Sequence, residues 1–339
     1  MSIAVRSFAK LNLDLKIGPR RADGFHELRT IYQTIALHDT VRIEAQRGSG
    51  IEIRCDDSRV PTDESNTCYG IIERVLRSTK THAKVLVEIR KQLPVQGGLG
   101  AASSNAVVAM LGLERALGLK LSPADKLRLA AEVGSDLPLF LIGGTVLGTG
   151  RGEQVQPLPD LPTLPLVVVT PPVGVSTPRA FARWDELVAR QPELTSSRGA
   201  GTINEFAGKA VASLSEGMFS RTAASEPASG VPAAGGDRAE TLLLDLVQAG
   251  IENDFERVVF PEYPELREVK RVLEREGGRY ASLSGSGSSL YGLFSSGEEA
   301  QAAARRMSAA GMAAVATTTL TREEYWQQMF VEEQLATSD

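Results

Sequence analysis

Cysteine is almost missing from this chain: Cys55 and Cys68 are the two in 339 residues. Two thiols make neither a disulfide framework nor a zinc site by themselves, and they fit reduced thiols of a cytoplasmic protein. Histidine is nearly as scarce, at three, and aromatic residues make up 5%. No excess of basic residues exists either. Lys and Arg number 37 against 42 Asp and Glu, so the net charge is −5, which argues against a nucleic-acid surface. The first ten residues have no apolar signal-peptide core. The longest apolar stretch, 137–147, contains two glycines and is too short to cross a bilayer, so no membrane role is expected. What the chain does have is length for two domains, 42% hydrophobic residues for their cores, and 32 glycines.

Several of those glycines fall in one run, Leu93-Pro94-Val95-Gln96-Gly97-Gly98-Leu99-Gly100-Ala101-Ala102-Ser103-Ser104-Asn105, which opens onto an apolar-periodic stretch. Such a loop can aim several backbone N–H groups at one point, and the helix behind it adds its positive end. Small residues allow a polyphosphate to approach the backbone. The run is not a Walker A loop, because it contains no lysine, and it lacks the third glycine of a dinucleotide fingerprint.

The hydrophobic pattern predicts strands at 3–18, 30–37 and 40–45, a helix at 66–78, and a strand at 84–90 that runs into the glycine loop. A helix follows at 103–117, stopped by Gly118, and another starts at Ser122-Pro123 and ends near Gly134. Residues 146–155 and 166–170 read as extended, and 178–191, 264–276, 298–310 and 322–335 as helical. A second glycine loop within 282–294 leads into a strand, and 313–320 is a last strand. Residues 195–240 are rich in Ser, Ala, Gly and Thr, with a short helix expected near 203–214 and another at 242–247. The piece 221–239 reads as a flexible, dispensable linker, having almost no apolar anchor to offset the entropy of ordering. The alternation fits a two-domain α+β protein, divided into 1–163 and 164–339.

The pattern Pro-x-x-x-Gly-Leu-Gly-x-x-Ser-Ser resembles the ATP-binding motif of the GHMP small-molecule kinases. Three further blocks are similar to one branch of that superfamily, the kinases of 4-diphosphocytidyl-2-C-methyl-D-erythritol. They are Ala9-Lys10-Leu11-Asn12-Leu13 with Gly24-Phe25-His26-Glu27-Leu28, then Gly134-Ser135-Asp136-Leu137-Pro138 with Gly150-Arg151-Gly152-Glu153, then Ser284-Gly285-Ser286-Gly287-Ser288-Ser289. The blocks span roughly residues 5–330 in order. The resemblance implies an N-terminal domain like domain 2 of ribosomal protein S5 and a C-terminal ferredoxin-like domain, with ATP and substrate meeting between them. It implies a kinase of isoprenoid biosynthesis that phosphorylates the 2-hydroxyl of the cytidylyl substrate.

It also implies roles. Asp136 is the base and Lys10 its partner. Pro94, Val95, Gln96, Gly97, Gly98, Leu99, Gly100, Ala101, Ala102, Ser103 and Ser104 hold ATP. Asn12, Phe25, His26, Phe181, Gly285, Ser286 and Gly287 hold the substrate, Phe25 stacking on the cytosine, His26 bonding its edge, and Phe181 offering a second face. Mg²⁺ is expected to arrive with ATP, since no acidic cluster has the spacing of a metal cage.

Taken alone, several of these residues have duller readings: Asp136 as a turn aspartate, Lys10 as an edge-strand lysine, Phe25 and Phe181 as core. The chain also departs from the family pattern. Phe25 stands where tyrosine is usual, Ala101 and Ala102 where glycine is usual, and 195–240 is longer than usual. Two rivals stand beside the reading. Another GHMP kinase, such as homoserine or mevalonate kinase, is disfavoured by Gly24-Phe25-His26. A nucleotide-binding regulatory module is disfavoured by retention of both Lys10 and Asp136.

Overall fold

The computed structural model describes residues 2–192, Leu194 and residues 250–331. The expectations for 195–240 and 242–247, the linker included, lie outside these residues; the helix expected at 322–335 ends at Met329, because Phe330 turns extended and bridges to Val5, and 332–335 are not described.

Two long strands organise the first half. β1 (Ser2–Arg20) and β2 (His26–Gln46) pair antiparallel over nearly their whole length. The two segments expected at 30–37 and 40–45 are thus one strand. The other edge of β2 is shared by β4 (Lys84–Arg90), which meets its last residues, and β5 (Thr145–Thr149), which meets its first. β3 (Gly50–Cys55), absent from the sequence reading, adds parallel to β4, and β6 (Gln154–Pro157) closes a hairpin on β5. Residues 146–155 are therefore two strands joined by a turn.

Helices α1 (Thr67–Ser78) and α2 (Ala101–Leu117) cover this sheet, and α3 (Pro123–Val133) packs against α1. α2 is buried on every side from Ser104 to Leu113, and Gly112 lets it press against Ile43.

The second half carries a four-stranded antiparallel sheet in the order β10-β7-β9-β8, formed by Pro165–Val169 (β7), Tyr280–Leu283 (β8), Leu290–Leu293 (β9) and Ala314–Thr318 (β10). Helices α4 (Thr177–Arg190), α5 (Glu256–Glu262), α6 (Pro264–Arg275) and α7 (Gly297–Ala309) accompany it. That strand order, with helices between the first and second and the third and fourth strands, is the ferredoxin-like split βαβ arrangement. The α+β class is as the sequence implied. The last helix, α8 (Arg322–Met329), returns to the first core, where Tyr325 is buried and its hydroxyl donates to the Phe140 carbonyl at 2.7 Å.

β1 departs from its pattern. Alternating Leu and polar residues at 11–16 would ordinarily turn the polar side to water. Here Lys10, Asn12 and Asp14 are all buried, because residues 251–255 and the second sheet pack on that side. The Leu15 N–H donates to the Glu252 carbonyl, and the Tyr291 hydroxyl donates to the Asn12 carbonyl.

Asp14, Lys16, Glu252, Asp254 and Arg257 cluster at this seam. Asp14 accepts from the Glu252 N–H and Asp254 from the Ile17 N–H, each at 2.9 Å, while Lys16 Nζ lies 3.1 Å from Glu252 and 3.9 Å from Asp14. Burial pushes the Asp14 carboxyl up to about 6 from the ordinary 3.8, against the pull of the Glu252 N–H and Lys16.

A raised carboxyl binds its proton more tightly folded than unfolded. Its contribution to stability is therefore full at low pH and is lost as pH rises from about 4 to about 6. Asp14→Asn is expected to remove that loss. Its unfolding free energy relative to the native chain should climb by on the order of 2–3 kcal/mol between pH 4 and 7 in urea titrations. A difference that stays flat or falls with pH contradicts this account.

Candidate active site

The glycine loop is held by its carbonyls. Leu99 O accepts from the Lys10 backbone N–H, Gly97 O from the Ser289 N–H and Gly98 O from Ser284 Oγ, all at 3.0 Å. At its entrance the buried Asp39 carboxylate accepts the N–H groups of Gln92 and Leu93, the Asn105 amide and the Lys91 ammonium. With the carbonyls pinned, the amides are what the loop has to offer a ligand.

α2 starts at Ala101, two residues earlier than its periodicity suggests, so Ala101 and Ala102 are helical. Its N-cap, Gly100, sits at φ +72° and supplies no side-chain cap. The first-turn N–H groups are left for a ligand, as at anion-binding helix starts.

A cavity of about 320 Å³ lies over this helix start, lined by residues 94–103 of the loop and by Asn66, Lys91 and Asn105. Ser104, the last of the expected ATP residues, points away: it is fully buried and bonded to Ser7 Oγ at 2.8 Å.

A second cavity, also about 320 Å³, adjoins the first, and Gly98 and Gly100 line both. Lys10 and Asp136 stand in it together. Lys10 is 3% exposed; its Nζ donates to Asn12 Oδ1 at 2.6 Å and lies 3.4 Å from Asp136 Oδ2. Asp136 sits in the turn between α3 and the short 3₁₀ helix Pro138–Leu141, anchored by buried Leu137, Leu139 and Phe140. Its side chain keeps 33% exposure, enough to meet a ligand. Gly100 leaves the space between the Lys10 stem and Phe140 that any side chain would fill.

Of the expected substrate residues, Asn12, Phe25, His26, Phe181, Gly285 and Ser286 line this cavity, while Gly287 lies in the same loop behind them. Phe25 is 51% exposed with the Arg151 guanidinium 4.9 Å from its ring centre. His26 opens β2, is buried, stacks on Phe181 at 4.9 Å and 7°, and has Nε2 2.7 Å from Asp185 Oδ1. Tyr32, Arg151 and Thr177 also line the cavity and were given no role from the sequence. Their signal was faint: a tyrosine in an apolar strand, an arginine in a glycine turn, a threonine opening a helix.

Comparison with known proteins agrees with this geometry. The GHMP kinases N terminal domain model matches residues 66–144 and the GHMP kinases C terminal model residues 239–313. A 4-diphosphocytidyl-2-C-methyl-D-erythritol kinase of Moorella thermoacetica is 33% identical over 299 residues, covering 88% of this chain and 92% of its own. The chain belongs to the 4-diphosphocytidyl-2-C-methyl-D-erythritol kinase family. The kinase of that name from Synechococcus elongatus is 34% identical over 298 residues, 87% of either chain. A crystal structure of a 4-(cytidine 5'-diphospho)-2C-methyl-D-erythritol kinase superposes with a TM-score of 0.68 at 26% identity, over 94% of this chain and 99% of the other. Membership makes the chain a GHMP kinase with ATP as its phosphoryl donor. Among the described residues no helix is long and apolar enough to cross a membrane.

Proposed function

We propose that this protein transfers the γ-phosphoryl group of ATP to the 2-hydroxyl of 4-diphosphocytidyl-2-C-methyl-D-erythritol, giving the 2-phosphate, a step of isoprenoid biosynthesis. The observation that carries the reading is the Lys10–Asp136 pair, which lines the second cavity beside Gly98 and Gly100, the residues that line both.

Phosphoryl transfer asks a protein mainly to position the reactants and stabilise charge. ATP lies in the cavity over the start of α2, its phosphates on the loop amides. The acceptor lies in the second cavity, its hydroxyl against Asp136. Asp136 takes the hydroxyl proton as the oxygen attacks the γ-phosphorus and ADP leaves. Lys10 fixes the carboxylate and offsets charge on the forming alkoxide. Mg²⁺ bound to ATP would supply neutralisation of the phosphate charge. Among the described residues no three His, Cys, Asp or Glu side chains converge as ligands, and the Ser103 hydroxyl is the loop group suited to that ion or to a phosphate. The division at 163/164 goes with this reading, since β7 opens the second sheet at Pro165.

Phosphorus NMR of the purified protein with ATP, Mg²⁺ and the cytidylyl substrate tests the assignment by the appearance of the 2-phosphate. Turnover of homoserine or mevalonate instead would replace it with another GHMP activity. Absence of single turnover from bound ATP would favour the regulatory module. For recognition of the base, His26→Ala is expected to raise KM for the cytidylyl substrate by the equivalent of about 1–3 kcal/mol. KM for ATP should hardly change, and equal weakening of both would remove His26 from base reading.

A further inference from the structure

The two oxygens of Asp136 have different partners. Oδ2 faces Lys10, and Oδ1 accepts the Tyr32 hydroxyl at 3.2 Å. Tyr32 is 2% exposed and opposes Asn12 across the β1–β2 ladder, so its backbone is fixed by the longest pairing in the molecule. Its ring lies in a slot with glycine walls. A Cβ on Gly148 would come within 2.5 Å of the Tyr32 ring, and one on Gly152 within 2.5 Å of its hydroxyl. Both glycines belong to the β5–β6 hairpin, whose Gly150-Arg151-Gly152-Glu153 turn the catalytic reading leaves without a task. That turn is held in place in its turn: Gly150 donates its N–H to Glu27 at 3.0 Å, and Arg151 donates its N–H to Glu153 at 2.6 Å.

We propose that Tyr32 is a positioning residue for Asp136, and that the glycines of the β5–β6 hairpin exist to seat its ring so that the hydroxyl holds one carboxylate oxygen and leaves the group's orientation no freedom. The inference rests on Asp136 being the base. A catalytic base is commonly oriented by a third group, and Tyr32 supplies that group here alongside Lys10. Burial, with the Asp136 charge beside it, pushes the Tyr32 phenol well above its ordinary value, so the hydroxyl keeps its proton and only donates to the carboxylate.

Tyr32→Phe keeps the ring and removes the donor. Its kcat is expected to fall about 10- to 100-fold, as for loss of a hydrogen bond to a charged group. KM for ATP should stay within about twofold and the melting temperature near that of the native chain. In an Asp136→Asn background the same change should cost less than about twofold, because there is no carboxylate left to orient. Gly152→Ala, which drives a Cβ at the hydroxyl, should lower kcat in the same way and gives a second route should Tyr32→Phe fold poorly. Native kcat in Tyr32→Phe overturns the inference, and so does a loss undiminished in the Asp136→Asn background or one confined to KM for ATP. If Asp136→Asn itself keeps native kcat, the base assignment falls and the inference with it. If Asp136→Asn collapses while Tyr32→Phe does not, the inference alone falls.

Discussion

Asp136→Asn is expected to lower kcat by about 10²- to 10⁴-fold, the usual loss on removing a positioned base, while ATP binding and the melting temperature persist. The amide copies the shape of the carboxylate, and the side chain is a third exposed, so the fold has little reason to change. Lys10→Ala should lose a similar factor, since its ammonium stands 3.4 Å from Asp136 and forms the other half of the unit. The double variant should be little worse than the poorer single, because groups that act together are not additive. Steady-state kinetics, calorimetric titration with ATP and a thermal melt measure all three. Fully multiplicative losses would separate the two residues, and native turnover in Asp136→Asn would end the mechanism.

Gly98→Ala should be nearly as damaging, by another route. Gly98 has φ +77°, and a Cβ there would sit 2.1 Å from the Ser284 carbonyl oxygen and 3.1 Å from that of Gly287. Neither obstacle is the movable end of a side chain, so the two glycine loops must part. The expected result is a KM for ATP raised at least about tenfold, a parallel rise for the acceptor because Gly98 lines both cavities, and a lower melting temperature. Gly118→Ala is the control. Gly118 has φ +64° with nothing within 4 Å, so it should show only the left-handed strain of about 1–2 kcal/mol and native kinetics. Equal behaviour of the two variants would mean that backbone strain, not the loop contact, governs the site.

Composition and periodicity made the α+β class, most helices and the phosphate loop legible. A local pattern carries each of those: Ser122-Pro123 starts a helix and Gly118 ends one wherever they occur. β3 was missed although Ile51, Ile53 and Cys55 alternate with charged residues, because it is only six residues long and its pairing with β4 is parallel and non-local. The split of β2 at residues 37–40 failed for a related reason. His38 and Asp39 read as a break, yet Asp39 is buried by accepting the entrance of the glycine loop, a partner 53 residues away. At the site, the types and positions of Lys10 and Asp136 were visible. That the strand's polar side is buried was not, since the residues covering it lie some 240 positions on. His26 shows the same limit: its stacking on Phe181 and its pairing with Asp185 come from a helix of the other half.

The carbonyls of Gly97 and Gly98 are fastened by Ser289 and Ser284, and the polar side of β1 is closed by residues 251–254. The loop that cradles ATP is thus encoded early, but its rigidity is encoded late. A ribosome delivers the N-terminal half first. A nascent chain that ends with β8 therefore carries the glycine loop, Lys10 and Asp136 without the serines that tie the loop down, and the competence to transfer phosphate arrives only once residues 284–289 have been made.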